Sequence, residues 1–549
     1  MEHYYNMEAI NVSKSTNNDL QTFYNNTYIS YRKSIGKDHQ ISSGTGVNIQ
    51  TNQLQLDWGL TKNAHPNDQY TTIMDGKDNL REIGGDNRIW TWISFYENFF
   101  YSYKDRYLLT GSVSLDGSSR IGDNALNTLQ IGGSPFGFFY SGGMAWRISG
   151  ENFLKNLSWL EDLKVRLSMG KTGNDDIGES SATNYYQAVR YRTTVGLFPA
   201  LLPNDRLTYE TVNQVNTGLD ISLLGNRVNF SLDVFQSKIE NLLIFSPVEA
   251  YLGYDVRIEN SGEMENKGWE FNTFIRILDL QLFKWDIQAD LSGFDNEVTA
   301  IKGGSLVTEI QGAEMVNKIG SPANSFYGFV FNGVYSTDAE ANEANLVNDK
   351  YVRYRAGDAI YEDLSGPNGI PDGVINNFDK TTIGSAMPDF FGGITNAFTY
   401  KRLKLSMTLQ FVSGNEVFNY LRYMNEKMTG LENQSTSTLN RWQYDGQKTE
   451  VPRALWGDPV GNTAFSTRWI EDGSYLRVKN IALSYTIREQ FLTFRDAEFY
   501  ISANNIFTSS RYLGYDPEFS YSFSHIHQGI DYGQSPQARQ FIAGIKFGL

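Results

Sequence analysis

The sequence predicts an all-β protein, and more specifically a transmembrane antiparallel β-barrel. Three observations favour this class: a strict alternation of apolar and polar residues, connections sorted by length, and many aromatic residues. From 403 to 411 every odd-numbered residue is apolar and every even-numbered residue is polar, and the same alternation recurs in 215–223 and 541–549. Successive side chains of a strand point to opposite faces, so each segment has one apolar and one polar face. A soluble β-sandwich uses such strands too, but a membrane barrel repeats them about every ten residues.

The composition fits a barrel better than a helical membrane protein. The chain has 549 residues, 40% hydrophobic residues and a mean hydropathy of -0.41. No apolar run approaches the roughly 20 residues that a membrane helix needs, whereas half of every barrel strand is polar. The 34 Phe, 33 Tyr and 10 Trp are enough for aromatic girdles at membrane interfaces.

Charge and cysteine content exclude several functions. A formal charge of -15 argues against a nucleic-acid-binding surface, which is normally basic. The chain has no cysteine, so disulfides and thiolate metal sites are unavailable. The sequence shows neither a Ser-His-Asp constellation, nor a catalytic carboxylate pair, nor a phosphate-binding loop, and we therefore expect no enzyme activity.

Alternation and turn residues predict about fifteen strands. In order, their expected spans are 20–33, 37–53, 89–103, 106–116, 138–148, 161–171, 212–223, 227–242, 266–277, 283–299, 388–400, 402–413, 474–487, 496–507 and 537–549.

The connections between these strands tend to alternate between short and long. Outer-membrane barrels have short periplasmic turns and long extracellular loops. On that rule Leu549 ends in the periplasm and the first residues lie at the extracellular end of the first strand. The long connections are 54–88, 117–137, 172–211, 243–265, 300–387, 414–473 and 508–536.

Two segments depart from the strand pattern. Ser336 and Thr337 precede an Ala/Glu-rich stretch, which predicts a capped short helix over 338–344. Between Arg477 and Ile481 the apolar phase shifts by one residue, which predicts a β-bulge.

Short motifs spread over nearly the whole chain give a family resemblance. In order they are Tyr107-Leu108-Leu109-Thr110 with Asp116-Gly117-Ser118-Ser119-Arg120; Arg166-Leu167-Ser168-Met169-Gly170 with Thr172-Gly173-Asn174; Leu207-Thr208-Tyr209-Glu210 with Asn216-Thr217-Gly218-Leu219-Asp220 and Asn226-Arg227; Asn260-Ser261-Gly262; Asn266-Lys267-Gly268-Trp269-Glu270; Ser325-Phe326-Tyr327-Gly328; Asp472-Gly473-Ser474-Tyr475-Leu476-Arg477 with Lys479-Asn480; Asn504-Asn505-Ile506-Phe507; Gly514-Tyr515-Asp516-Pro517-Glu518; and Pro536-Gln537-Ala538-Arg539.

In this order and spacing the motifs resemble the SusC/RagA-like TonB-dependent transporters of Bacteroidetes outer membranes. The chain departs from the family pattern at Ser114, Met169, Ile121 and Leu549, where the family often has Arg, Tyr, Phe and an aromatic residue.

The resemblance implies a barrel of about 22 strands, of which this chain supplies about fifteen. We therefore expect 1–549 to be the C-terminal part of the receptor barrel. We expect the plug, the TonB-contacting segment and the first strands to be absent from this chain and to lie on a second polypeptide. The complete protein would then be nicked, split or only partly resolved. No secretory signal peptide is visible at the N-terminus.

The resemblance also implies a function and partners. Family members import a nutrient, typically a glycan or a peptide, with a SusD-like surface lipoprotein, and TonB drives uptake through the plug. The expected neighbours are thus the plug polypeptide, the lipoprotein, TonB and outer-membrane lipid, and two such pairs could form a dimer. The alternative function is a non-transporting scaffold within a larger outer-membrane complex.

One segment in the long 300–387 loop resembles a calcium-binding loop. Oxygen ligands two residues apart, a glycine turn and a final carboxylate are the pattern that Ca²⁺ prefers. Residues 367–371 interrupt the pattern and Asn376 replaces an acid, so a turn that once held an ion is an equal alternative. The expected ligands are Asp363, Ser365, Asp372, Val374, Asn376 and Asp379.

The loops also carry aromatic residues that are candidates for substrate contact. Rings can stack on sugars or hold a peptide, although packing within the loops is the more common role. His525 and His527 lie two residues apart, but no carboxylate pattern accompanies them, so a metal site there is disfavoured. The aromatic candidates are Tyr512, Tyr515, Tyr521, Phe523, Trp442 and Trp456.

Overall fold

The structure is a computed structural model that describes residues 12–62, 81–178, 181–182, 185–191, 194–254, 256–487, 496–519 and 525–548. Strands are numbered β1–β29 in chain order. Fifteen of them follow one another as hydrogen-bonded neighbours in one large sheet. They are β1 (Val12–Ile35), β2 (His39–Lys62), β3 (Glu82–Tyr103), β4 (Tyr107–Ser118), β6 (Ser134–Arg147), β7 (Leu160–Asn174), β10 (Glu210–Leu223), β11 (Val228–Pro247), β12 (Val256–Asp279), β13 (Phe283–Ile301), β22 (Phe390–Tyr400), β23 (Leu403–Ser413), β26 (Tyr475–Ile487), β27 (Asp496–Ser510) and β29 (Gln540–Gly548).

Each of the fifteen strands contains most of its predicted span, so the alternation was a reliable guide. Several strands run further than predicted: β1 begins at Val12, β2 continues to Lys62 and β12 begins at Val256. The predicted loops 54–88 and 243–265 are accordingly too long. The β1 extension, 12–19, carries polar residues on both faces and lacks the apolar alternation that marks the rest of the strand. The β2 extension keeps an alternation, through Leu54, Leu56, Trp58 and Leu60, that the prediction missed.

Antiparallel pairing places the apolar residues of neighbouring strands side by side. From β23 to β29 the register aligns Leu405 with Leu483, then Ile501, then Ala543. Leu405 is 38% exposed and Ile545 is 52% exposed, so these apolar side chains are not enclosed by protein. An apolar face of this kind needs an apolar surrounding.

The buried apolar clusters lie in the connections and at strand ends rather than on this face. One cluster is built around Phe326, Phe418 and Trp469, and a second around Tyr335, Tyr354 and Tyr361. A third includes Leu207 and Tyr209. The long connections are therefore folded substructures with their own cores.

By Cα packing the chain divides into two compact units. The first contains 1–145, 168–214 and 239–261, and the second contains 146–167, 215–238 and 262–549. The cluster around Leu207 belongs to the first unit, and the clusters around Phe326 and Tyr335 belong to the second.

Short elements occupy the connections. The remaining strands are β5 (Leu129–Ile131), β8 (Tyr185–Tyr191), β9 (Thr194–Leu201), β14 (Ser305–Ile310), β15 (Ala313–Lys318), β16 (Ser325–Gly328), β17 (Phe331–Val334), β18 (Val347–Asn348), β19 (Ala359–Tyr361), β20 (Val374–Ile375), β21 (Thr381–Gly384), β24 (Glu416–Asn419), β25 (Ile470–Asp472) and β28 (Ile530–Asp531). The 3₁₀ turns are Ile148–Gly150, Ala250–Leu252, Asn377–Asp379, Thr436–Asn440, Thr467–Trp469 and His525–His527.

The two local predictions are confirmed. Helix α1 spans Asp338–Ala344, and the Thr337 hydroxyl caps it by accepting the Glu340 N–H at 3.2 Å. The strand register shifts between Val478 and Asn480, where the bulge was expected. A second helix, α2 (Tyr420–Glu426), was not predicted, because it lies in a loop without a helical apolar pattern. In the described part of the chain, no helix has the length and apolar content to cross a membrane.

Candidate functional site

The polar face of the first unit contains a cavity of about 530 Å³. Strands β2, β3, β4, β6 and β7 supply its wall, and half of its lining residues are even-numbered positions of β3 and β4. The lining residues are Asn48, Trp92, Ser94, Tyr96, Asn98, Ser112, Val113, Ser114, Asp116, Phe139, Tyr140, Ser141, Lys171 and Thr172.

The strand register brings the polar groups of this cavity together. Ser94 lies opposite Asn48 on one side and Asp116 on the other, and its hydroxyl donates to the Asp116 carboxylate at 2.5 Å. Tyr96 donates its hydroxyl to the Asn26 side chain at 2.9 Å. Pairing of this kind across strands fixes the orientation of both side chains.

The cavity suits the binding of a polar ligand. Trp92, Tyr96 and Phe139 offer aromatic rings, and Asp116 and Lys171 offer one charge of each sign. Rings with a few placed polar groups are typical of ligand-binding clefts. The arrangement fits both a sugar and a peptide, because both present hydroxyl or amide groups beside apolar carbons.

Further along the sheet, the polar face of the second unit carries a compact ionic cluster on β7, β10 and β11. Arg166 donates to both Asp220 oxygens at 2.9 Å and to both Asp233 oxygens at 2.9 and 3.0 Å. Lys164 pairs with Asp220 at 2.8 Å. Two cations and two carboxylates balance one another on this face, which is therefore suited to water rather than lipid.

The loops of the second unit enclose a smaller pocket of about 320 Å³. Residues of the 302–389 and 414–474 connections form it, with the rings of Phe329, Tyr354 and Tyr361 among its walls. Lys380 donates to both oxygens of Glu314 at 2.6 and 2.8 Å beside it. Burial raises the pKa of the Tyr354 phenol, so this side chain stays neutral and packs.

Trp442 and Tyr512 have a packing role in the structure. The Trp442 indole N–H donates to the Ser336 carbonyl at 3.1 Å, and its ring covers Gly357 so closely that a Cβ there would clash. Tyr512 is buried and donates its hydroxyl to Asp531 at 2.6 Å. Burial and that carboxylate raise the pKa of Tyr512.

Trp456 and Tyr515 present their rings to solvent, each with 72% of its surface exposed. They are the two candidates in the described region that a ligand or partner can reach. The segment that carries Tyr515 is anchored by Arg477, which binds Asp516 and donates to Glu518 at 2.5 Å. Tyr521 and Phe523 lie outside the described residues.

The calcium-like segment is held by carboxylates that accept backbone N–H groups. Asp379 is buried and accepts from Leu364, Ser365 and Asn376 at 2.8–3.1 Å. Burial raises the pKa of Asp379, and these N–H groups oppose that effect.

The other acids of the segment follow the same pattern. Asp363 accepts from Gly373 N–H at 2.7 Å, and Asp372 accepts from Val374 N–H at 3.0 Å. Asn376 accepts from Phe378 N–H and caps the turn that follows. Among the described residues no group of three or more His, Cys, Asp or Glu is placed to hold a metal ion. Calcium binding by this segment stays a prediction.

Sequence reasoning named the loop rings but not the cavity on the polar face. Its residues come from five strands, so only the strand register reveals that they meet. The alternation of polar residues with Trp92 and Tyr96 along β3 was the signal that could have drawn attention to them.

Comparison with known proteins agrees with the fold. Residues 3–506 match the family model described as TonB dependent receptor-like, beta-barrel. The chain is 29% identical to TonB-dependent receptor P3 of Formosa agariphila, over 98% of this chain and 53% of that protein. It is 27% identical to TonB-dependent receptor SusC of Bacteroides thetaiotaomicron, over 95% of this chain and 49% of that protein.

Among solved structures, the RagAB peptide transporter superposes with a TM-score of 0.79 at 23% identity, over 98% of this chain and 56% of that chain. This likeness concerns the fold. The chain spans about half the length of the curated relatives it matches. The family match covers most of the chain, and the sheet, the exposed apolar face and the polar face agree with it. The chain belongs to the TonB-dependent receptor-like β-barrel family of outer-membrane proteins.

Proposed function

We propose that this chain forms the barrel wall and extracellular loops of a SusC-like importer of polar nutrients, either glycans or peptides. The observation that carries the proposal is the polar-face cavity with its three rings, its hydroxyls and one charge of each sign. In a membrane barrel the apolar face meets lipid and the polar face lines the lumen, so a solute in transit passes this cavity.

The energy for uptake would come from outside this chain. In the scheme that the family resemblance implies, TonB acts on a plug, and this chain would supply the wall around it. A SusD-like surface lipoprotein would close over the extracellular loops, where Trp456 and Tyr515 present exposed rings. The folded cores of the loops would give such a partner a firm surface to dock on. In this arrangement the short turns and the end of β29 would lie in the periplasm.

A scaffold role is the second candidate. The observation that favours it is the self-contained packing of the long loops around Phe326, Phe418 and Trp469, which would serve assembly as well as transport. The two functions differ in what the polar face does: an importer uses it to contact solute, and a scaffold has no such need.

Uptake in the natural host distinguishes the two functions. The probes are a labelled oligosaccharide pool and a labelled oligopeptide pool, offered to cells with the wild-type chain and with a Trp92→Ala, Tyr96→Ala double variant. If the chain is an importer, the double variant should slow uptake of one pool about tenfold, because two stacking contacts to the solute are lost. The matched control is Phe499→Ala on the apolar face, which should keep uptake near the wild-type rate. Equal uptake of both pools in wild-type cells and in cells that lack the chain would favour the scaffold.

A further inference from the structure

Glu97 lies on the apolar face of β3, six residues before the strand ends at Tyr103. The register pairs it with Thr45 of β2 and Val113 of β4, and side chains paired in this way share a face. Phe95 and Phe99, two residues away on either side, lie on that face and are exposed. A carboxylate therefore sits at the centre of an exposed apolar surface.

Two hydroxyls hold this carboxylate. Ser43 and Thr45 both donate hydrogen bonds to Glu97, one to each oxygen. Hydroxyls satisfy lone pairs but do not neutralise the charge. In the described part of the chain, no Lys, Arg or His pairs with Glu97, whose only favourable partners are these two side chains.

The depth of Glu97 makes this position costly in lipid. It lies six residues before the end of β3 at Tyr103, which at about 3.3 Å per residue and a tilt of about 40° is roughly 15 Å above the short turn. The apolar belt of such a barrel is about 25 Å tall. Glu97 is thus near mid-membrane, where an unneutralised carboxylate is unfavourable and where an ionisable residue usually has a partner.

Other strands of the same chain show what a lipid-facing surface looks like here. In the described parts of β23, β26, β27 and β29, the outward-facing residues include no carboxylate or ammonium group. Their outward residues are Leu403, Leu405, Met407, Leu409, Phe411, Leu476, Val478, Ile481, Leu483, Tyr485, Phe499, Ile501, Ala503, Phe507, Phe541, Ala543, Ile545 and Phe547.

We propose that the outward face of β2–β4 around Glu97 docks a membrane-embedded protein partner, which presents a cationic side chain to this carboxylate. Charge complementarity determines the kind of partner, because the surface offers one unneutralised anion. The apolar side chains around it are Phe95, Phe99, Val113 and Ile29. A polar contact sealed by apolar neighbours is the pattern of an interface centre. Acyl chains could cover the ring but would leave the charge without a partner.

Site-specific photo-crosslinking in the natural outer membrane tests the proposal. A photoreactive phenylalanine analogue replaces Phe99, next to Glu97, or Phe499 on the purely apolar face as the matched control. We expect one defined protein adduct at position 99 and only lipid adducts at position 499. The cross-linked peptide of the partner should contain Lys or Arg.

The dependence on Glu97 completes the test. Glu97→Leu should lower the adduct yield about tenfold, whereas Ser43→Ala, which leaves the charge in place, should lower it far less. Only lipid adducts at position 99, or a yield that Glu97→Leu leaves unchanged, would overturn the proposal. An adduct with a second copy of this chain through apolar residues would also overturn it, because no cation would meet Glu97. If the Leu variant fails to assemble, the adducts at 99 and 499 in the otherwise wild-type chain still decide.

Discussion

Arg453 and Asp358 form a two-pronged ion pair that joins two long loops of the second unit. The guanidinium donates to the carboxylate at 2.8 and 3.0 Å, and Asp358 is completely buried. Asn462 donates to the same carboxylate at 3.0 Å. The 302–389 and 414–474 connections are therefore fastened to each other as well as to the sheet.

Removing the cation should loosen both loops together. Arg453→Met leaves Asp358 buried with only amide partners, and breaking such a pair costs about 3–5 kcal/mol. Hydrogen exchange should show faster exchange at Ala359 and Asn462 in the variant. Lys448→Met, at an exposed position nearby, is the control and should leave both rates unchanged. Unaltered protection in Arg453→Met would mean that the ion pair does not hold the loops.

The two tryptophan candidates should respond in opposite ways to truncation. Trp442→Ala should destabilise the loops by roughly 3 kcal/mol, because its ring packs on Gly357 and its N–H is bonded. Trp456→Ala should leave the melting temperature unchanged but weaken binding of a ligand or lipoprotein, since the ring is exposed. Thermal unfolding and a binding assay on both variants separate the two roles. A similar fall in melting temperature for both variants would contradict the assignment of Trp442 to packing and Trp456 to binding.

A charge on the apolar face of β23 should be far more costly than on its polar face. Leu409→Arg places a cation toward lipid near the middle of the strand and should cost about 2–4 kcal/mol. Thr408→Arg, one residue earlier and on the opposite face, should cost much less. Denaturant unfolding in lipid or detergent measures both. Equal losses would show that both faces meet the same environment.

Chelation decides between the two interpretations of the 363–379 segment. If calcium holds it, removing Ca²⁺ lowers the melting temperature and calcium restores it. The carboxylate-to-amide bonds of Asp363 and Asp379 predict that the segment keeps its hydrogen-exchange protection without the ion. Asp379→Ala should abolish that protection in either buffer, because three N–H groups lose their acceptor. A large loss of protection on chelation alone would identify the segment as an ion site.

The sheet could be predicted from the sequence because its signal is local. Alternation over nine residues of β23 fixes both its strand character and its two faces. The bulge near Lys479 was predictable for the same reason, since one extra residue shifts the phase. Strand ends such as Val12 were missed where both faces are polar and the alternation disappears.

The loop cores and the cavities could not be predicted in this way. Phe329 packs near Phe465 in the loops, and residues so distant in sequence leave no periodic trace. Burial also separates Trp442 from Trp456, two residues that look alike in the sequence. Glu97 stands out only once the register shows which face it shares with Phe95 and Phe99.

In a membrane barrel, alternate residues of each strand face lipid and water. The chain has no native cysteine, so single-cysteine spin labels can be placed at each position from 403 to 411 in the assembled protein in lipid. We expect labels at odd positions to collide with oxygen, which dissolves in lipid, and labels at even positions to collide with a water-soluble nickel reagent. Odd positions shielded from both reagents, or no period of two, would contradict this expectation.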